Sequence, residues 1–143
     1  MARFEYTINI QRPIEQVFAF LANGENNHKW ELEIVESRRL TDGPTRVGTR
    51  WLHVRQVLGI KIKGISEVVE YELNKKLAKR SPDGLMPSTS SILFEPANGG
   101  TRLHFTVNFE TRGFLKLLDS LLEKMLVPQG QTNLRKLKDL LER

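Results

Sequence analysis

Residues 3 to 10 alternate apolar and polar side chains, with Phe4, Tyr6, Ile8 and Ile10 on one face, the period-two pattern of a half-buried strand. Pro13 then fits the first turn of a helix, where its missing N–H costs nothing. Ile14, Val17, Phe18 and Leu21 continue at helical spacing and give that helix one buried stripe. The polar segment from Asn23 to Trp30 ends in an aromatic residue and accommodates a second short helix.

From Glu33 to Glu110 the chain reads as strands punctuated by turn signals: Asp42-Gly43-Pro44, Leu58-Gly59, Asn74-Lys75-Lys76, Pro82-Asp83-Gly84 and Asn98-Gly99. Such short connections predict an antiparallel meander. Asn98-Gly99 is a type I′ signal that fixes register. It sets Glu95 opposite Arg102, Phe94 opposite Leu103 and Ile92 opposite Phe105, so that charge meets charge and apolar meets apolar. Leu103, Phe105, Val107 and Phe109 then face inward, and His104 faces solvent.

A two-residue loop at Leu58-Gly59 sets Val57 opposite Ile60, Arg55 opposite Ile62, His53 opposite Gly64 and Trp51 opposite Ser66. A three-residue loop reverses the faces. Under the two-residue loop the inner face carries Trp51, His53, Arg55, Ile60, Ile62, Val68 and Glu70. This mixed polarity, with room left at Gly64 and Ser66, predicts a pocket rather than a dry core.

After Arg112-Gly113, the residues Phe114, Leu117, Leu118, Leu121, Leu122, Met125, Leu126, Leu134, Leu137 and Leu141 predict one long amphipathic helix. Pro128 inside it predicts a kink near residues 124 to 128. Gln129, Gly130 and Asn133 interrupt the stripe there and leave space above a curved sheet.

With 143 residues, 39% hydrophobic and 27% charged, the chain has the composition of one globular domain over residues 1–143. No stretch approaches the roughly 20 apolar residues of a bilayer span, and the N-terminus runs into strand residues without a signal segment, so a cytoplasmic location is expected. Absence of cysteine removes disulfides and thiolate ligands. His28, His53 and His104 are too dispersed for a metal site, and neither metal nor cofactor is expected. The net charge of +5 is spread over every segment and interleaved with acids, which argues against nucleic acid or stable membrane insertion. A monomer and a homodimer are equally compatible with the pattern. No Gly-rich phosphate loop, nucleophile elbow or paired-carboxylate motif is present.

Several segments resemble the START-like, or SRPBCC, superfamily, and within it the polyketide cyclase/dehydrase and lipid-transport group. They are Ile10 through Leu21 (I-x-x-P-x-x-x-V-F-x-x-L), Trp30, Asp42-Gly43-Pro44 through Val47-Gly48-Thr49-Arg50-Trp51, Val68-Val69-Glu70-Tyr71-Glu72 before Leu77, Gly100-Thr101-Arg102-Leu103, and the leucine-rich terminal segment. The resemblance covers essentially the whole chain. It implies an α+β helix-grip fold: about seven antiparallel strands curved around a long C-terminal helix, with two short helices after strand 1. It also implies a cavity used by relatives for lipids, sterols, polyketides and plant hormones, without one shared chemistry.

On this reading the chain binds or carries a hydrophobic or aromatic small molecule, lipid- or polyketide-like. The enzyme alternative is a cyclase or dehydratase with Glu70, His53 and Arg55 as acid, base and oxyanion-stabilising cation. Glu70 reads as a catalytic carboxylate or as a salt-bridge partner of Arg55 or another cation; His53 reads as a proton shuttle or as a hydrogen-bonded rim histidine. Trp30 and Trp51 either stack on a flat ligand or pack the core. Met86 serves a lid or fills a gap. Gln129 and Asn133 reach a ligand from the helix or sit on its outer side. Phe18, Ile62, Gly64, Ser66, Phe94, Phe105, Phe109 and Met125 complete the expected lining.

Overall fold

The computed structural model describes residues 2–143. Strand β1 (Ala2–Ile10) leads into helix α1 (Ile14–Ala22) and a 3-10 helix (Gly24–Lys29), followed by β2 (Ile34–Arg39), β3 (Arg50–Val57), β4 (Ile60–Glu72), β5 (Lys76–Ser81), β6 (Ser88–Ala97) and β7 (Gly100–Phe109). A second 3-10 helix (Gly113–Leu118) precedes helix α2 (Asp119–Glu142). The strands form one antiparallel sheet in the order β1-β7-β6-β5-β4-β3-β2. Every pairing except β1 with β7 joins sequence neighbours, and α1 with its 3-10 extension carries the chain from one sheet edge to the other. Among the described residues no helix is long and apolar enough to cross a membrane.

The two legible hairpins adopt the expected registers. Glu95 pairs with Arg102 and Ile92 with Phe105 across Asn98 and Gly99, whose φ values are 47° and 79°. Arg55 pairs with Ile62 and His53 with Gly64 across Leu58 and Gly59, at 54° and 77°. Positive φ at both central residues is what a two-residue primed turn requires. Directly paired residues share a face, so Val68, Lys79, Ser90, Val107 and Phe4 form one inward row across five strands. Tyr71, Leu77, Ile92, Phe105 and Tyr6 form the next.

Two expectations are corrected. Glu70 does not face inward: a register shift in β4 between Val68 and Glu70 inserts an extra residue and reverses the alternation. Val68 is buried, Tyr71 turns in against Phe18 at 5.4 Å, and Glu70 lies outside, 2.7 Å from Lys76 Nζ. The terminal apolar stripe is also divided. Residues 113 to 118 wind as a 3-10 helix at about three residues per turn, which rotates them out of phase with α2. Leu115 and Leu122 are fully buried and Leu118 and Leu126 pack beside them, whereas Phe114, Leu117, Leu121 and Met125 are exposed, Leu117 at 89%.

Helix α2 runs through Pro128. The Tyr6 hydroxyl donates to the Val127 carbonyl at 3.3 Å, and Gly130, one turn on, lies so close to the Tyr6 ring that any side chain there would collide with it. At the far end, Arg12 donates to the Glu142 and Arg143 carbonyls at 2.6 and 3.0 Å and satisfies the helix terminus.

The main core packs α1 and the C-terminal half of α2 on the sheet around Val17, Trp51, Leu103 and Leu137. A smaller cluster joins Val57 and Ile62 to Leu115 and Leu122. Gly24 seats the first 3-10 helix on the Trp51 indole, where an added Cβ would approach the ring to 2.5 Å. Gly24→Ala is therefore expected to destabilise the protein by about 1–3 kcal/mol through overpacking, read as a lowered urea midpoint; an unchanged midpoint contradicts this packing.

Candidate functional site

Between the concave face of the sheet and α2 lies a cavity of about 180 Å³, lined by residues of both core clusters. The β1 and β7 side supplies apolar and aromatic wall: Phe4, Phe105, Val107 and Phe109, with Leu126 from α2. The β3 to β5 side supplies charge: His53 and Arg55 from β3, Lys79 from β5, and Glu31 and Glu33 from the loop before β2. Ser88 and Ser90 on β6 lie between these two walls in strand order.

Glu33 is fully engaged. Its Oε1 lies 3.2 Å from Arg55 and its Oε2 accepts from Asn133 Nδ2 at 2.9 Å. Asn133 Oδ1 in turn accepts the Leu32 backbone N–H at 3.1 Å, tying α2 to the loop and to β3. Asn133 is 4% exposed, so both amide ends serve the protein. Nearby, Tyr6 is held above the usual tyrosine range by burial and by the Glu33 charge.

Glu31 and Lys79 line the same cavity, and among the described residues neither has an ion-pair partner within 4 Å. Burial pushes the Glu31 carboxyl up to about 7, against the opposing fields of Arg55 and Lys79 and with reinforcement from Glu33. Burial brings the Lys79 ammonium down to about 8, opposed by Glu31 and reinforced by Arg55. The Lys79 ammonium sits 4.7 Å from the centre of the Trp51 ring, which holds it over the sheet. A carboxyl and an amine that exchange protons near neutrality thus face one enclosed space, the condition for general acid–base chemistry.

His53 is neutral at neutral pH. Burial first, and then the Arg55 and Lys79 charges, depress it to about 3. Its Nδ1 lies 3.0 Å from Ser37 Oγ. The His53 Nε2 and the indole Nε1 atoms of Trp30 and Trp51 are buried without a hydrogen-bond partner among the described residues. His53 and Trp30 belong to the cavity wall, and Trp51 does not.

Of the other expected lining residues, the structure gathers Ser66, Met86 and Gln129 around this cavity, with Arg55, Phe105, Phe109 and Asn133 already placed there. Ile62 and Gly64 border a side recess of about 20 Å³ that shares His53, Arg55 and Met86. Phe18 and Phe94 meet edge to face in the core at 4.9 Å, Trp51 lies beneath Lys79, Met125 is exposed, and Glu70 is on the outer face. Glu31, Glu33 and Lys79 were not anticipated. Lys79 carried a signal, because Leu77 and Lys79 share a face in any strand reading of β5. Among the described residues no cluster of His, Cys, Asp and Glu suits a metal ion.

A family model described as polyketide cyclase/dehydrase and lipid transport matches residues 1–142. A sequence search of curated proteins returns no match. Among solved structures, the chain is similar to a Thermus thermophilus protein at 22% identity and TM-score 0.82, covering 98% of this chain and 97% of that one. It is similar to Zhui, an aromatase/cyclase from a Streptomyces species, at 16% identity and TM-score 0.82, covering 99% and 94%. A Deinococcus radiodurans protein matches at 19% identity and TM-score 0.74, covering 99% and 98%.

Two outcomes follow from the buried polar set. Asn133→Leu strands the Leu32 N–H and one oxygen of Glu33 and is expected to cost about 1–3 kcal/mol in urea denaturation; a neutral effect contradicts the tether. For Glu31 the folded value near 7 lies above the unfolded 4.5, so the folded state binds more protons between them and stability falls as pH rises through that window. Glu31→Gln is therefore expected to gain on the order of 1 kcal/mol over the parent at pH 8 and to lose that advantage towards pH 4.5. A pH-independent difference contradicts burial of the charge.

Proposed function

The chain belongs to the polyketide cyclase/dehydrase and lipid-transport family, and we propose that it binds a small hydrophobic or aromatic molecule, lipid- or polyketide-like in chemistry, in the cavity between the sheet and α2. One observation carries this reading. Two residues of an aromatic-lined cavity, Trp30 and His53, carry buried nitrogens, Nε1 and Nε2, that have no partner among the described residues. Buried polar atoms are nearly always paired, and a few convergent polar groups in an apolar pocket are the usual means of orienting a ligand. Edge contacts from Trp30 and Phe105, whose rings lie 5.9 Å apart, supply flat apolar surface beside those nitrogens.

A second reading, catalysis of a cyclisation or dehydration, is favoured by a different observation. Glu31 titrates near neutrality within the cavity that holds neutral His53 and the Arg55 cation, a set able to remove a proton from an enolisable substrate and steady the resulting oxyanion. Glu70 has no part in it. The aromatase/cyclase named among the structural neighbours shares the fold at 16% identity, which is support for the architecture and not for a reaction.

Native mass spectrometry of the freshly purified protein, followed by extraction, tests the binding reading against Ser90→Phe, which places a ring in the cavity floor. A bound aromatic or lipid-like compound is expected in the parent and at least about tenfold less of it in folded Ser90→Phe, since the cavity is close to the size of one ring. Equal occupancy in both contradicts this location for the site. For the second reading, Glu31→Gln is expected to keep binding and lose turnover.

A further inference from the structure

Three cationic side chains, Arg55, Lys79 and Arg80, line the cavity against two carboxylates, Glu31 and Glu33. Of the two carboxylates that line it, Glu33 has one oxygen on Arg55 and the other on Asn133, which leaves Glu31. Against this stand the Lys79 ammonium, the buried Trp30 indole N–H and the hydroxyls of Ser66, Ser88 and Ser90. Trp30 and His53, at 6% and 3% exposure, leave their unpartnered nitrogens no access to bulk water. Lys79 occupies the middle of the inward row from Val68 to Phe4 and lines the cavity between the charged and aromatic walls.

The interior of the space suits one ring. At about 180 Å³ the cavity is close to the roughly 150 Å³ that holds benzene in an apolar protein interior. A neutral ring would leave the Lys79 ammonium with the field of Glu31 but no carboxylate at ion-pair distance, and a cationic ligand would add a further positive charge beside Arg55, Lys79 and Arg80. An oxygen anion does the reverse. It gives Lys79 a counter-ion, accepts from a serine hydroxyl, and leaves Glu31 to donate as a neutral acid.

Building on the reading that this cavity is a ligand site, we infer that its occupant is a single-ring aromatic carboxylic acid, with Lys79 as the anchoring cation and Glu31 as the proton-bearing partner of the ligand carboxylate. Arg55 supplies long-range positive potential while remaining paired with Glu33. The phenyl wall of Phe4, Phe105 and Phe109 receives the ring.

Isothermal titration calorimetry of the full chain at pH 7 with benzoate, benzamide and benzylamine tests this. These share a ring and differ in the charge they present. Benzoate is expected to bind at least about tenfold more tightly than benzamide, the usual advantage of a charge-assisted contact, with benzylamine weakest. Lys79→Met is expected to bring benzoate to within about twofold of benzamide; Lys79→Gln takes its place if Lys79→Met does not fold. Benzamide or benzylamine binding as tightly as benzoate overturns the inference and leaves the ligand-site reading standing. A benzoate preference that survives loss of Lys79 overturns its role as anchor. Failure of all three probes to bind counts against the ligand site itself, and the inference falls with it.

Discussion

The arrangement depends on the junction at which Asn133 of α2 holds both Glu33 and the Leu32 backbone, while Glu33 holds Arg55 of β3. Helix α2 meets the sheet through Leu122, through Leu134, Leu137 and Leu141, and at Tyr6, and the space left between these contacts survives only if something fixes the separation of helix and sheet. Apolar packing would tend to collapse it, since filled interiors gain dispersion contacts that voids forfeit. The junction is directional and charged. Removing one partner leaves a buried charge uncompensated, which makes the separation of α2 from β3 costly to change. Tyr6 and Gly130 set the spacing at the other sheet edge, with the phenol bonded to the Val127 carbonyl and the glycine admitting the ring.

The two walls of the cavity follow from topology. β1 and β7 are neighbours at one edge and carry Phe4, Phe105, Val107 and Phe109 inward, whereas β3 and β5 carry His53, Arg55 and Lys79. Charges gathered in this way alter one another. Arg55 and Lys79 help keep His53 neutral, and Glu31 and Lys79 both move towards neutrality because enclosure penalises their charged forms more than their mutual attraction restores. The site therefore combines a dry aromatic wall, which favours a ring, with proton-exchanging groups that tolerate an acidic substituent. Family membership accounts for the scaffold.

Much of the fold was legible in the sequence because two-residue turns leave no freedom of register. Asn98-Gly99 fixes every pair on either side, Leu58-Gly59 does so once its loop has two residues rather than three, and the structure has both sets of pairs. The errors arise where a local irregularity breaks a period. The bulge before Glu70 adds one residue to β4 and sends the expected carboxylate outside, an event that alternation alone does not reveal. The 3-10 turn before α2 exposes Phe114 and Leu117 for the same reason, a change of period inside a continuous apolar run. At the site, His53, Arg55 and Ser66 were reached through register, whereas Glu31 and Glu33 sit in a loop whose side chains no periodicity directs. Lys79 was within reach of the pairing logic, since it shares a face with Leu77, but a lysine between strand residues reads first as solvated surface.

The most direct test of the central claim, that the polar wall faces a ligand space, is to follow the two indole Nε1–H resonances in ¹H–¹⁵N spectra as benzyl alcohol is added. Trp30 lines the cavity and Trp51 does not, so one serves as the control for the other. The account predicts a saturable displacement of the Trp30 signal several times larger than that of Trp51. Equal displacements, or a Trp30 signal that stays in place while the compound binds elsewhere, would contradict it.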